Sequence, residues 1–281
     1  MLKQRVITAL VLLAILLPAL FYPSFVPFAA VTLVLMAAGA WEWGRLNALG
    51  GMASWALGAL CLLLCGLSWL GGWLQRPLPW LWTLGGGAWV LGGALLLRAG
   101  VAGWPQVPRF LRIVGGVLAL WLAWLAVAQA RVAGVNFLLS VLTLVWAADI
   151  CAYFAGRAFG LRLTKGKLAP SISPGKSWEG VWGGMAGVLL LAIAWVAGDA
   201  HWQATVPSLY TQLAHRGWWL LFIGVAFMAA MSVVGDLVES LIKRSAGVKD
   251  SSGLLPGHGG VLDRIDALLP TLPLAMMLTQ F

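Results

Sequence analysis

Apolar residues dominate the chain in long, unbroken runs, and short polar segments separate each run from the next. The runs are rich in Leu, Ala and Val, and most approach the ~20 residues that a helix needs to cross a bilayer. The strands of a transmembrane barrel instead alternate apolar and polar positions over segments of about ten residues. The pattern therefore predicts an all-α polytopic membrane protein, in which every helix satisfies its own backbone hydrogen bonds.

The positions of these runs predict nine membrane spans. Lys3 and Arg5 precede the first run, as in a signal peptide, but the run is longer than usual and no Ala-x-Ala-like site follows it. We therefore interpret it as the first arm of a helical hairpin. The nine predicted spans are residues 6–22, 25–41, 52–73, 79–97, 113–130, 132–154, 178–198, 217–238 and 262–281.

Basic residues divide unequally between the two sides that these spans define. If the amino terminus is cytoplasmic, 15 of the 18 Lys and Arg residues fall on the cytoplasmic side, and only Arg76, Arg131 and Arg216 fall on the other. Lys and Arg concentrate in the cytoplasmic loops of membrane proteins. The distribution predicts a cytoplasmic amino terminus, an outer carboxyl terminus and a bacterial inner-membrane location.

Composition agrees with a lipid environment and limits the partners. The chain is 61% hydrophobic and 10% charged, with a mean hydropathy of +0.92 and a net charge of +9. In a soluble protein this charge would suggest nucleic acid, but here we interpret it as a topology signal and as attraction to anionic groups at the membrane surface. No nucleic-acid partner is expected.

We predict one integral membrane domain over residues 1–281, with its chemistry confined to the second half. Residues 1–130 form amino-terminal helices without a specific motif, and residues 131–281 contain the catalytic helices. Two predicted cytoplasmic loops, 155–177 and 239–261, hold eight of the basic residues together with many Gly, Ser and Pro residues.

Carboxylates approach the membrane interface at the same level in several predicted spans. Asp149 lies 17 residues after Val132, which places it about 26 Å into a hydrocarbon core of about 30 Å. Asp236 reaches a similar depth, and Asp263 and Asp266 begin the last span. Ionisable residues within spans cost roughly 2.5–3.5 kcal/mol each, so each requires a reason. The positions predict an active site at the cytoplasmic membrane face.

Carboxylates beside a basic, glycine-rich loop suit the chemistry of a polyphosphate and a divalent metal. Mg²⁺ prefers one or two carboxylates together with substrate phosphates and water, and Lys or Arg side chains bind the remaining phosphate oxygens. An ion-coupled transporter or a flippase, in which Asp149 would relay protons, remains an alternative. A transporter usually places its charges near the middle of the membrane, however, rather than at one face.

Residues 240–266, SLIKRSAGVKDSSGLLPGHGGVLDRID, carry a specific pattern. The segment contains Ser, Lys-Arg, Lys-Asp, Pro-x-His-Gly-Gly and Asp-Arg-x-Asp at fixed spacings, and it resembles the signature of the phosphatidate cytidylyltransferases. We call it the signature segment. A second block, DICAYFAGRAFG followed by LAPSISPGKSWEGVWGG within residues 149–184, also resembles the family.

The resemblance implies a reaction in which CTP and phosphatidate give CDP-diacylglycerol and pyrophosphate. It further implies a requirement for Mg²⁺, assistance from a monovalent cation such as K⁺, and a homodimer. It identifies Asp236 and Asp263 as the expected metal ligands, and Asp149 is expected to support them. The expected catalytic residues of the signature are Lys249, Asp250, His258, Arg264 and Asp266.

The expected substrate-binding residues lie on both polar loops and would hold the triphosphate or the lipid phosphate. They are Ser173, Lys176, Ser177, Ser240, Lys243 and Arg244. A related CTP-dependent lipid phosphotransferase, such as a polyprenol kinase, remains an alternative, because it would use similar carboxylates and basic loops.

Overall fold

The computed structural model describes residues 2–280 and is nearly all helical. Eight of its helices are long and apolar enough to cross a membrane, which confirms a polytopic membrane protein. These eight are α1 to α7 and α9. In chain order the helices are α1 Leu2–Phe21, α2 Val26–Leu46, α3 Gly51–Leu70, α4 Pro79–Gly103, α5 Arg109–Ala133, α6 Val135–Phe159, α7 Trp178–His201, α8 Leu209–Arg216, α9 Trp218–Ser245, α10 Leu262–Ile265 and α11 Leu268–Thr279.

The predicted ninth span, 262–281, differs from the other eight. It consists of the four-residue α10 and the 12-residue α11, and residue 281 lies outside the described part. Pro270 has no N–H group to bond the carbonyl of Asp266, so the regular hydrogen-bond pattern is interrupted between α10 and α11, although Asp266 and Ala267 keep helical dihedrals. Most of α11 is buried among α4, α5 and α9 rather than exposed. Residues 2–280 therefore contain eight candidate spans where the sequence predicts nine.

The first polar loop, predicted over residues 155–177, contains a small β-hairpin that the all-α prediction did not include. Strand β1, Lys167–Ala169, pairs antiparallel with β2, Ser173–Ser177. The second strand leads directly into α7, because Ser177 has extended dihedrals and its side chain accepts a hydrogen bond from the Gly180 amide at 3.2 Å. A serine at this position caps the helix by satisfying one of its free amides.

Close packing of α6 against α7 fixes the position of this hairpin. A Cβ atom added to Gly183 would lie 2.1 Å from Ala155 Cβ, and one added to Gly187 would lie 2.3 Å from Cys151 Sγ. Small residues four apart let two membrane helices approach until their backbones nearly touch. Because α7 also packs on α9, the strand β2 lies beside the end of α9 that carries the predicted site.

Candidate active site

The hairpin and α9 meet at an ion pair between two predicted site residues. Lys176 on β2 donates to Asp236 Oδ2, and the two side chains are 26% and 27% exposed. Ser240, one turn further along α9, lies with its hydroxyl 3.3 Å from Asp236 Oδ1. The second sequence block and α9 therefore contribute to one site, although Lys176 and Asp236 are 60 residues apart along the chain.

A second ion pair connects the part of the signature segment that lies on α9 to its end on α10. Lys243 Nζ lies 2.6 Å from Asp263 Oδ1, and it also pairs with Glu239 one turn earlier on α9. The Asp263 and Glu239 side chains are only 5% and 6% exposed. Buried charges need partners of this kind, because an unpaired carboxylate in a low-dielectric setting is strongly unfavourable.

The other oxygen of Asp263 organises the signature segment. Asp263 Oδ2 accepts hydrogen bonds from the Ser251 amide at 2.9 Å, the Ser251 hydroxyl at 2.8 Å and the Gly260 amide at 2.7 Å. Gly259 has φ +83°, and a Cβ atom there would lie 2.7 Å from the same oxygen. Glycine is required at position 259 because its backbone is left-handed and approaches the carboxylate closely.

Two further predicted carboxylates belong to the same cluster. Asp149, on α6 and exposed, interacts electrostatically with Asp236 and Lys176. Asp266 interacts with Asp236, Asp149 and Lys243, and its own carboxylate accepts the Ala267 amide at 2.8 Å. Two lysines, Lys176 and Lys243, form ion pairs with these carboxylates and balance part of their negative charge. The cluster contains five carboxylates: Asp149, Asp236, Glu239, Asp263 and Asp266.

This negative excess suits a cation, although the carboxylates do not converge on one point. Among residues 2–280, no group of three or more His, Cys, Asp or Glu side chains is arranged to hold a metal ion. The predicted ligands Asp149, Asp236 and Asp263 do not form such a group. Mg²⁺ usually takes one or two carboxylates and completes its shell with phosphate and water oxygens, so the all-oxygen donors present fit that ion.

A sixth carboxylate, Glu42 on α2, binds the signature segment and was not predicted from the sequence. The Glu42 side chain is fully buried, and Oε1 accepts the Val261 amide at 2.9 Å and the Ser252 hydroxyl at 2.5 Å. Oε2 accepts the Leu262 amide at 2.8 Å and lies 3.2 Å from the Ser251 hydroxyl. The only sign of its role in the sequence was that it is a lone glutamate in an apolar run. A charge within a membrane span is costly, so it indicates a polar partner or a function.

The remaining predicted substrate-binding residues surround this cluster. Ser173 begins β2 opposite Ala169, and Ser177 caps α7 as described above. Arg244 is exposed, and its Nε lies 3.4 Å from the Ile172 carbonyl, next to the hairpin. All three residues lie on the hairpin or contact it.

The remaining signature residues lie on the loop after α9 or on α10. Lys249, Asp250 and Arg264 are exposed, so their charged groups are accessible to a ligand. His258 is partly buried, and its Nδ1 atom is buried without a hydrogen-bond partner among the described residues. Arg264 directly follows Asp263 in the chain, and the other three residues lie on the loop whose Ser251 and Gly260 amides bind the Asp263 carboxylate.

Comparison with known proteins identifies the family. Residues 3–281 match the model of the Cytidylyltransferase family. The chain is 42% identical to a phosphatidate cytidylyltransferase of Pseudomonas aeruginosa over 97% of this chain and 95% of that protein. It is 38% identical to one of Haemophilus influenzae, over 97% and 96% of the two chains, and 36% identical to one of Brucella suis, over 95% and 89%. The chain therefore belongs to the cytidylyltransferase family.

Proposed function

We propose that this protein transfers CMP from CTP to phosphatidate, forming CDP-diacylglycerol and pyrophosphate for phospholipid synthesis. The observation that carries the proposal is the junction of the hairpin, α9 and the signature segment through the Lys176–Asp236 and Lys243–Asp263 pairs. These pairs bring polyphosphate-binding side chains to the ends of membrane helices, where a lipid phosphate resides. Its relatives carry the name of the same activity.

The reaction is a displacement at phosphorus. A phosphate oxygen of phosphatidate forms a bond to the α-phosphorus of CTP, and the bond from that phosphorus to the α,β-bridging oxygen breaks as pyrophosphate leaves. Because the attacking oxygen is already anionic near neutral pH, the chain needs no strong general base. Its task is to place two anionic phosphates in line and to stabilise the added charge.

Basic side chains around the cluster supply that stabilisation. Lys176 and Lys243 are held in place by carboxylates and are only partly exposed, so their ammonium groups are positioned before a ligand arrives. Ser173, Ser177, Ser240 and Arg244 line the same region and bind triphosphate or lipid phosphate oxygens. Lys249 and Arg264 are exposed, and they bind the oxygens on which charge develops.

The other signature residues complete the site. His258 donates a hydrogen bond to a phosphate oxygen, while Asp250 and Asp266 orient the neighbouring basic groups. Asp236 and Asp263 would hold Mg²⁺, with Asp149 in support and a monovalent cation such as K⁺ nearby. When bound, the ion supplies charge stabilisation for the triphosphate and the leaving pyrophosphate.

Purified protein tests the function directly. It is incubated in detergent with phosphatidate, Mg²⁺ and each of the four nucleoside triphosphates in turn, and pyrophosphate release is measured. The mass of the lipid product is determined by mass spectrometry. We expect release with CTP and a lipid that has gained CMP. A lipid that has gained a single phosphate would instead identify a lipid phosphotransferase, and substrate flux without nucleotide in proteoliposomes would identify a transporter.

We also propose that the protein is a homodimer of the bacterial inner membrane, with its amino terminus and active site facing the cytoplasm. The unequal distribution of Lys and Arg supports this orientation, and CTP is a cytosolic substrate. Single cysteines placed at Gly166 and Gln75, in a protein whose Cys61, Cys65 and Cys151 are replaced by alanine, test it by labelling in intact cells with an impermeant reagent. We expect labelling at position 75 alone, and the reverse result would exclude the orientation. Light scattering tests the dimer.

A further inference from the structure

A cleft of about 670 Å³ separates α4 from α5, two helices that follow one another in the chain. Its floor is formed by α9, by Leu262 of α10 and by Leu269 of α11. The cleft exists because α4 and α5 make few direct contacts with each other: both pack on α11, but α4 also packs on α9 and α5 on α2. Its volume falls within the ~300–1,000 Å³ range of small-molecule sites.

The walls of the cleft are apolar and lack side chains at several positions. Gly92 on α4 and Gly115 on α5 both line it, and a Cβ atom added at either position would meet no atom within 4 Å. Leu84 and Leu95 line the α4 side and are 65% and 67% exposed. A hydrocarbon chain can therefore enter between the two helices and contact both walls.

One end of the cleft is polar. Glu239 lines this end and is only 5% exposed. Its Oε1 atom has no hydrogen-bond partner among the described residues. Arg112 also lines it, with a buried Nε that has no partner there and with its guanidinium 5.6 Å from the centre of the Trp104 ring. Leu122 lines the cleft ten residues further along α5, about 15 Å from Arg112. The cleft thus matches an amphiphile.

The polar end adjoins the candidate active site. Glu239 forms an ion pair with Lys243, and Lys243 binds Asp263. Leu262, which lines the cleft, directly precedes Asp263. A lipid with its phosphate at the carboxylate cluster therefore has one hydrocarbon chain within reach of this cleft.

We propose that one acyl chain of the phospholipid substrate occupies the α4–α5 cleft, with Arg112 at the level of the lipid phosphate. The proposal rests on the proposed function, because it assigns a chain site to the lipid that reacts. The cleft fixes the lipid along the membrane normal, so that its phosphate meets the nucleotide at the cluster.

Filling the cleft tests the proposal. Gly115→Leu and Gly92→Leu place a side chain in open space, and leucine favours a helix more than glycine does, so both proteins should fold. Gly87→Leu is the matched control, since Gly87 lies on α4 with equally open space but does not line the cleft. The kcat/KM for dioleoyl phosphatidate and for dihexanoyl phosphatidate is measured for each variant.

We expect Gly115→Leu and Gly92→Leu to lower kcat/KM for the dioleoyl lipid about tenfold or more, the effect of a misfit in a hydrophobic site. The dihexanoyl lipid and the Gly87→Leu control should keep near-wild-type values. An equal loss with both lipids, or no loss with either, would overturn the proposal. If either variant had a different oligomeric mass from the wild type by light scattering, the proposal would also be overturned. That result would show that a second copy of the chain fills the cleft in the wild type.

A cross-linking experiment tests the proposal without requiring turnover. It therefore distinguishes a failure of the acyl-chain site from a failure of the proposed function. Phosphatidate with a photoactivatable diazirine on one acyl chain is irradiated with the wild-type protein, and the labelled peptides are sequenced. We expect labels on α4 and α5 that Gly115→Leu removes and Gly87→Leu keeps. Labels spread over all exposed helices, or labels unchanged by Gly115→Leu, would show bulk lipid in the cleft.

Discussion

The two halves of the chain bring carboxylates to the same signature segment in different ways. Asp236 and Asp263, from the second half, each pair with a lysine. Glu42, from the first half, forms no ion pair within residues 2–280 and is held by two backbone amides and by serine hydroxyls. Asp236 contacts only the side chains of Lys176 and Ser240, and a lysine can turn toward a phosphate and free its carboxylate for a cation. Asp263 combines both kinds of contact, because its Oδ1 pairs with Lys243 while its Oδ2 accepts two backbone amides. Backbone amides cannot leave without unfolding the loop, so we expect Glu42 to fix the loop rather than to take part in the chemistry.

The largest effect that this comparison predicts is at the paired carboxylates. We expect Asp236→Asn and Asp263→Asn each to lower kcat about 100- to 1,000-fold, the loss typical of one preorganised electrostatic group. CMP transfer from labelled CTP to phosphatidate measures it. Near-wild-type rates in a folded variant would refute the assignment of these two residues.

Asp199→Asn is the matched control for these variants. Asp199 accepts hydrogen bonds from Asn136, Ser208 and Thr211, so it is also a partly buried, well-bonded carboxylate. It lies near the end of α7, whereas the hairpin joins the beginning of that helix. The control should lose stability without a comparable loss of CMP transfer.

The second prediction concerns Glu42→Gln. The amide group of glutamine cannot accept the bonds that one carboxylate oxygen now receives, so we expect the free energy of unfolding to fall by about 1–3 kcal/mol. A displaced loop should lower kcat about tenfold while the KM for CTP stays nearly constant. Thermal unfolding in detergent and steady-state kinetics measure both effects. Arg45→Gln, at an exposed position on the same helix, is the control.

The outcome for Glu42→Gln can break the comparison. If the variant were as inactive as Asp263→Asn yet as stable as the wild type, Glu42 would belong to the reacting groups. If it were both fully active and fully stable, the bonds from α2 would be unimportant for the loop.

The two serines of the signature segment sharpen the comparison. Ser251 donates to Asp263, whereas Ser252 donates to Glu42 alone among the carboxylates. We expect Ser251→Ala to lower kcat about fivefold, which corresponds to one neutral hydrogen bond of about 1 kcal/mol. Ser252→Ala should lower thermal stability with a smaller effect on kcat. The opposite ranking in parallel assays would argue against a structural role for Glu42.

The smallest expected effect is at α1. Arg5 Nε donates to the Gly257 carbonyl at 2.9 Å, and the Thr8 hydroxyl donates to the Pro256 carbonyl at 2.9 Å, both at exposed positions. Exposed polar contacts contribute about 0–1 kcal/mol. Arg5→Gln and Thr8→Val should therefore keep CMP transfer within about twofold of wild type. A loss similar to that of Glu42→Gln would show that α1 also fixes the loop.

Much of the fold could be predicted from the chain, because a lipid environment makes long apolar runs form helices. Eight predicted spans correspond to the eight candidate spans of the structure. The predicted ninth span forms α10 and α11 instead of one uninterrupted helix, because hydropathy does not register the hydrogen bond that Pro270 cannot make. The hairpin 167–177 was not predicted, since its short strands have no apolar alternation.

The site was predictable where its residues are close in sequence or match a known pattern. The signature segment identified Asp263 and its neighbours, and helical spacing placed Asp236, Ser240 and Lys243 on one face of α9. Pairing between Lys176 and Asp236 was not predictable, because 60 residues separate them and the close approach of α6, α7 and α9 brings them together.

The sequence by itself determined that this chain lies in a membrane, which family it resembles and which segment carries its chemistry. These properties follow from local hydropathy and from fixed spacings along the chain. Only the tertiary structure decided that Glu42 supports the signature segment and that α4 and α5 leave a cleft beside it. Both depend on how several helices pack together, and packing is set by side-chain shape across helices rather than by the order of residues within one.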